Sequence, residues 1–212
     1  MDAGEWHAVA HEIGVDGDRL LLIRQVHRAD VAIARSGRTS TWERPQADVI
    51  VSDDHTSAIA VRVADCVPIL LADTRRRAAG AAHAGWRGTV QRAVMAAVRA
   101  MQTSFGSDPA DLVAAIGPCL GRCCGEVGPE VVEAFREANH HPDSIRRWFE
   151  AGPSGRPHID LALANRDQLE ESGLRADRIH ASGLCTQSNA GVLHSYRADK
   201  NGSGRMAAVI RP

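Results

Sequence analysis

Aromatic side chains are scarce in this sequence, with four Trp, three Phe and one Tyr among 212 residues. The core therefore has to be filled mostly by Val, Ile, Leu and Ala. Net charge is equally slight, -1 at pH 7, and gives no reason to expect a nucleic acid or an anionic membrane as partner. The opening residues MDAGEWHAVAHEIG lack the basic and apolar regions of a signal peptide. No apolar run approaches the roughly 18 residues that a membrane span needs. The five cysteines are an odd count, and Cys119, Cys123 and Cys124 crowd together. That is not a disulfide framework, and it fits reduced thiols in a cytoplasm. These absences lead us to expect a soluble cytoplasmic protein.

The length suits one domain with a sizeable core. EWHAVAHEIG reads as a short helix stopped by Gly14. RLLLIRQVH is expected as a buried strand ending at His27, and ADVAIAR and ADVIVSD as further strands around the loop SGRTSTWERPQ. AIAVRVADCVPILLAD is rich in β-branched residues. AAGAAHAGW is a weaker strand, because Ala and Gly suit one only where a neighbour approaches closely. Over 89–105, Val90, Val94, Ala97, Val98, Met101 and Phe105 share one helical stripe, with Thr89 as candidate N-cap. DLVAAIG reads as a strand, PEVVEAFREAN as a helix with Pro129 in its first turn, and IDLALANRDQLEESG as an amphipathic helix closed by Gly173. HHPDSIRRWFEAGPSGRP reads as the least ordered part. IHASGLCT and RMAAVIRP are the last strands, separated by the polar loop QSNAGVLHSYRADKNGSG. Strands and helices mix without strict alternation, which predicts an α/β protein with mixed sheets.

The segment VADCVPILLADTRRRAAGAAHAGWRG holds one cysteine, Cys66, and one histidine, His83. A two-residue turn at Thr74–Arg75 sets them directly opposite each other on one face, with Cβ atoms roughly 4.5–5.5 Å apart. The pair reads as two core residues, as a nucleophile with its base, or as two ligands of a metal. The flanking HAGWRG, with two glycines and the guanidinium of Arg87, has the composition of a site where backbone approaches a ligand. Asp65 is costly to bury without a partner, and reads as a carboxylate behind a ligand histidine or as a turn residue. His27 is either a solvated side chain or a third ligand. One Cys and two His leave a tetrahedral position open, the pattern of catalytic zinc. CLGRCC lacks the paired CxxC spacing of structural zinc. Its cysteines are expected as small packing residues in a glycine-rich loop, and Cys185 as a strand-end core residue.

RQVHRADV, VADCVPILLAD, AAHAGWRGTV, AIGPCLGRCCGEVGPEV and SYRADKNGSGRMAAVI, in this order, resemble the laccase-domain (multicopper polyphenol oxidase-like) family, whose members are recognised as purine nucleoside phosphorylases. The resemblance implies a single domain over 1–212 with a four-layer α/β/β/α fold and mixed β-sheets. It implies a zinc ion on His27, Cys66 and His83, which copper can replace because the affinity order favours it. It implies phosphorolysis of adenosine, inosine, guanosine and methylthioadenosine to base and ribose-1-phosphate, with adenosine deamination as a side activity. Purine nucleosides and phosphate are then the partners, of a monomer or homodimer. The catalytic set is expected to be His27, Cys66, His83, Arg87 and Asp65. Arg87 is the first choice for phosphate, four residues beyond His83 in a glycine-flanked loop, with Arg62 and Arg197 as further candidates.

The sequence departs from the family pattern in three places. It lacks the usual opening segment with its TxRxGGxS strand and SLN-like motif, which helps to shape the nucleoside pocket. Arg28 replaces the glycine usual after QVH, and Gly125 replaces the aromatic usual after the paired cysteines. A multicopper laccase is not expected, since trinuclear copper centres use HxH pairs and the ten histidines here form none. Two alternatives stand beside the phosphorylase. One is a metal-free hydrolase or deamidase with Cys66 as nucleophile and His83 as base. The fold resembles that of the cytotoxic necrotizing factor toxin domain, which uses such a pair. The other is a non-catalytic binding protein. A zinc site needs His27, whereas a Cys–His dyad does not.

Overall fold

Two sheets of unequal size, built from interleaved stretches of chain, face each other across an apolar seam. The structure is a computed structural model and describes residues 3–37 and 42–212. The small sheet holds β1 (Leu20–Leu22), β4 (Ala58–Val63) and β11 (Met206–Ile210) in the order β1-β4-β11. The large sheet draws on β2 (Val31–Ala34), β3 (Val49–Ser52), β5 (Val67–Asp73), β6 (Ala78–Ala84), β7 (Val113–Ile116) and β10 (Ile179–Ala181). Its order is β10-β7-β5-β6-β3-β2, with parallel pairs at the two edges and antiparallel pairs inside. A short hairpin, β8 (Phe149–Ala151) and β9 (Pro157–Ile159), stands apart. The helices are α1 (Ala3–Glu12), α2 (Trp86–Val90), α3 (Ala93–Phe105), α4 (Pro129–Glu137), α5 (Pro142–Trp148), α6 (Leu161–Glu171) and α7 (Tyr196–Asp199).

The alternation of side chains along each strand creates the layers. On β4, Ala58 and Ala60 join Trp6 and Ala10 of α1, while Ile59 and Val61 enter the seam with Leu21, Ile50, Ala79 and Ala81. On the far face of the large sheet, Val49, Val51, Ile69 and Leu71 pack with Val94, Val98 and Met101 of α3 and with Phe135 and Leu169. The result is a four-layer α/β/β/α fold with mixed sheets, as the resemblance implies. Each fully buried Leu, Ile, Phe or Met contributes about 1.5–3 kcal/mol. The Ala- and Gly-rich β6 is a strand because its neighbours sit so close. A Cβ on Gly80 would lie 3.2 Å from Met101 Sδ and 3.4 Å from both Leu71 Cβ and Val51 Cγ1.

Several elements differ from the sequence reading. RLLLIRQVH pairs as a strand only over Leu20–Leu22. AIAVRVADCVPILLAD is two strands in different sheets, and Asp65, at φ 79°, lies where the chain crosses from one to the other. The helix expected over 89–105 starts earlier, at Trp86, and is broken at Arg92 in the left-handed region. Thr89 is therefore no N-cap. It is buried within α2, where its hydroxyl donates to Gly85 O at 3.0 Å and accepts from Asn165 Nδ2 at 3.0 Å. IHASGLCT is a strand only over Ile179–Ala181. HHPDSIRRWFEAGPSGRP is ordered as α5 and the β8–β9 hairpin, because His140, Trp148 and Phe149 pack their rings around Phe135. The loop SGRTSTWERPQ lies partly outside the described residues. No helix among them is long and apolar enough to cross a membrane.

Candidate active site

The seam opens at the ends of β5 and β6, and there the register decides which side chains meet. Pro68 pairs with His83 and Asp73 with Ala78, so Thr74–Arg77 forms a longer loop than the expected two-residue turn. Cys66 accordingly sits against Gly85, where a Cβ would come within 2.8 Å of its sulfur. The register has moved by two residues, which preserves the face. Cys66 and His83 become diagonal neighbours rather than an opposed pair, and both point into the seam.

His27 does not end a strand. After β1 the chain bends over Asp48, whose fully buried carboxylate accepts the backbone N–H of Val26 at 3.0 Å, of His27 at 3.0 Å and of Arg28 at 2.8 Å. This grip holds His27 at φ 60°, a region that residues with a Cβ seldom adopt. Asp48 also takes the Nδ1–H of His83 at 2.8 Å, which turns the other ring nitrogen toward Cys66. The sequence reading missed Asp48 and offered Asp65 for this position. Asp65 instead accepts the Thr186 hydroxyl and, at 2.6 Å, the Arg197 backbone N–H. It tethers the C-terminal loop and stands behind no histidine. The available signal for Asp48 was an acid heading the β-branched run ADVIVSD.

A sulfur of Cys66 and ring nitrogens of His27 and His83 lie within 4.8 Å of one another. Burial alone would raise the Cys66 thiol, but the two imidazoles beside it bring its pKa down to about 6. Burial alone would lower His83, yet Asp48 and Cys66 hold it up at about 9. Burial opposes the Asp48 carboxylate too, and His83 with the backbone donors still keeps it below its ordinary range. One thiolate and two imidazoles converging on a point form a donor set suited to a borderline or soft metal.

This trio lines a cleft of about 770 Å³ whose walls carry Arg62, Arg87, Arg197 and Arg205. Arg87 follows at the start of α2, with its guanidinium 4.1 Å above the Trp86 ring. The Gln25 side chain clamps the backbone of Arg62 through its amide N–H at 2.8 Å and its carbonyl at 3.0 Å. Arg197 is committed to structure, donating to Glu126 O at 3.0 Å.

The profile of the multi-copper polyphenol oxidoreductase laccase family matches residues 3–212. The chain belongs to this family. It is 38% identical over 204 residues, 95% of this chain and 78% of the relative, to a purine nucleoside phosphorylase of Streptomyces coelicolor. It is 37% identical over 203 residues, 93% of this chain and 76% of the other, to an adenosine deaminase from an unknown prokaryotic organism. The crystal structure of the hypothetical protein YfiH of Bacillus licheniformis superposes with a TM-score of 0.90 at 27% identity, covering 99% of this chain and 80% of that one.

Within this laccase-family fold the two unusual residues have local explanations. Arg28 is exposed and gives its backbone N–H to Asp48. Gly125 is held against the hairpin, where a Cβ would fall 2.4 Å from Ile159 O, so no side chain fits there without moving backbone. Cys119 is a core residue, its thiol pushed up to about 12 by burial. Cys185 is buried, as expected, and it is its grouping with the paired cysteines that the sequence reading did not foresee. Cys123, Cys124 and Cys185 do not disperse into packing but bring their sulfurs within 4.8 Å of one another.

Proposed function

We propose that this chain is a zinc-dependent purine nucleoside phosphorylase, acting on adenosine, inosine, guanosine and methylthioadenosine, with adenosine deamination as a side activity. The observation that carries this reading is the convergence of Cys66, His27 and His83 at a cleft walled by guanidinium groups. The names of the relatives at 37% and 38% identity support it. Zinc with an open position supplies a Lewis acid and lowers the pKa of water to about 7.

The chain's own residues supply the rest. Arg87, stacked on Trp86, offers phosphate a fork of N–H donors, and Arg62 adds a second cation to the lining of the cleft. In phosphorolysis an oxygen of that phosphate bonds to C1′ of the ribose while the bond from C1′ to the purine breaks. The purine leaves with the electron pair and takes up a proton. Asp48 fixes the tautomer of His83, and its hold on three backbone N–H groups fixes where His27 stands.

One observation favours a metal-free cysteine hydrolase: Asp48, His83 and Cys66 line up as carboxylate, imidazole and thiol. His27 argues for the metal instead, since a triad gives no reason to fix a second imidazole beside the sulfur.

The test is metal analysis of purified protein together with an inosine assay run with and without phosphate. The expected result is bound zinc that falls by one equivalent in both His27→Ala and Cys66→Ala, and hypoxanthine formed only when phosphate is present. Full activity after the metal is stripped would overturn the proposal. Cys66-dependent hydrolysis without phosphate would establish the hydrolase in its place.

A further inference from the structure

The second sulfur cluster shares no ligand with the first, and two pinned loops build it. In the first, the Cys124 N–H donates to Gly121 O at 3.0 Å and the Gly125 N–H to Arg122 O at 3.1 Å, closing a tight turn that presents Cys123 and Cys124. In the second, Cys185 is held by its neighbours. The Cys119 N–H donates to Leu184 O at 3.3 Å and the Thr186 N–H to Cys119 O at 2.9 Å. Asn189 adds a side-chain N–H to Cys185 O at 2.8 Å. The loops meet at Gly121, where a Cβ would lie 3.4 Å from the sulfurs of both Cys123 and Cys185. Glycine keeps that space open.

The spacing of the adjacent sulfurs matches two ligands of one ion and excludes a disulfide between them. Cys123 Sγ and Cys124 Sγ are 3.7 Å apart, far beyond a bonded S–S distance of about 2.05 Å. Tetrahedral zinc with Zn–S of about 2.3 Å places its sulfurs roughly 3.8 Å apart. The Ser188 hydroxyl is 3.5 Å from each of these two sulfurs, on hand as an oxygen donor. Burial outside the cluster does not account for the arrangement, since Cys123 is exposed and only Cys185 is buried.

We infer that Cys123, Cys124 and Cys185 bind a thiophilic d¹⁰ cation, Zn²⁺ or Cu⁺, at a site distinct from His27, Cys66 and His83. Binding a cation there releases the thiol protons to solvent.

Cys66→Ala removes the sulfur of the first site and isolates the second. Titrated with Co²⁺, this variant should bind one equivalent with near-ultraviolet thiolate-to-cobalt charge transfer that Zn²⁺ displaces. Adding Cys124→Ser should abolish that band. A parallel anaerobic titration with Cu⁺ against a chelator decides which cation binds more tightly. The wild-type chain gives an independent reading through iodoacetamide labelling followed peptide by peptide. Either cation should slow labelling of Cys123 and Cys124 by about tenfold or more, because a ligated thiolate is no longer free to react. Labelling unchanged by both cations, or a cobalt spectrum indifferent to Cys124→Ser, would overturn the inference. These readouts do not depend on nucleoside turnover, so they stand or fall apart from the proposed activity.

Discussion

At the scale of single residues, Asp48 ties the segment carrying His27 to the strand carrying His83. It is fully buried, and its carboxylate satisfies three backbone N–H groups and the imidazole of His83. Asp48→Asn keeps the volume but aims an amide N–H₂ at these donors and leaves the His83 ring without its anion. Breaking such a buried pair costs about 3–5 kcal/mol, and losing the partner of a ligand histidine costs about 10–100-fold in metal affinity. Thermal melting and chelator competition should show both losses. Gly85→Ala probes the sulfur alone. Its backbone, at φ −74°, accepts a Cβ without strain, but that Cβ would sit 2.8 Å from Cys66 Sγ. The expected outcome is a metal-free protein that melts close to wild type and takes up metal poorly, measured by isothermal titration with zinc. Cys66, His83 and His27 could be singled out from the sequence because their residue types announce the chemistry. Asp48 was harder to find, because its worth lies in backbone groups twenty or more positions away, which no side-chain pattern encodes.

At the scale of elements, the turn between α4 and α5 shows how long-range contact orders a segment that looks like loop. The His140 Nε2–H donates to Val90 O at 2.8 Å, and the ring packs against Phe135 and Trp148. Burial lowers its pKa from the ordinary 6.5, against the pull of that carbonyl. The unfolded chain therefore takes up the proton at a higher pH than the folded one. The contribution to stability is whole above about pH 6.5 and is lost as pH falls through the lower folded value. Melting temperature should drop between pH 7 and pH 5 more steeply in the wild type than in His140→Asn, which has nothing to protonate. Equal slopes would remove His140 from the account. The same contacts explain why HHPDSIRRWFEAGPSGRP looked unstructured. Its helix and hairpin are fixed by Phe135 and Asp167, not by local periodicity. RLLLIRQVH fails in the opposite sense: the strand stops at Leu22, and Asp48 then holds the backbone of Val26, His27 and Arg28 in a bend.

At the scale of the whole molecule, the cleft exists because two sheets part where the chain crosses between them. Pairings such as β1 with β4 join residues almost forty positions apart, so the four layers were legible only through the resemblance of whole motifs, and the strand order not at all. Asp65 stands at that crossing, and three distant segments close on it. Its carbonyl accepts the Leu120 N–H at 2.8 Å, and its carboxylate takes the Thr186 hydroxyl and the Arg197 N–H. Residues 187–204 form one wall of the cleft through Tyr196, Arg197, Ser203 and Gly204. Asp65→Ala cuts two of the three links, and hydrogen bonds to a charged group contribute about 1.5–3 kcal/mol each. The wall should then open locally, and limited proteolysis should cut within 187–204 well before the rest of the chain. Under the proposed activity, KM for nucleoside should rise more than kcat falls, because Cys66, His27 and His83 stay in place. Thr186→Val, which removes one link and keeps the buried volume, should give an intermediate cleavage rate. Cleavage at the same rate in all three proteins would mean that the loop is held by Arg197 and Glu126 instead, and that the tether at the sheet crossing is not what shapes the cleft.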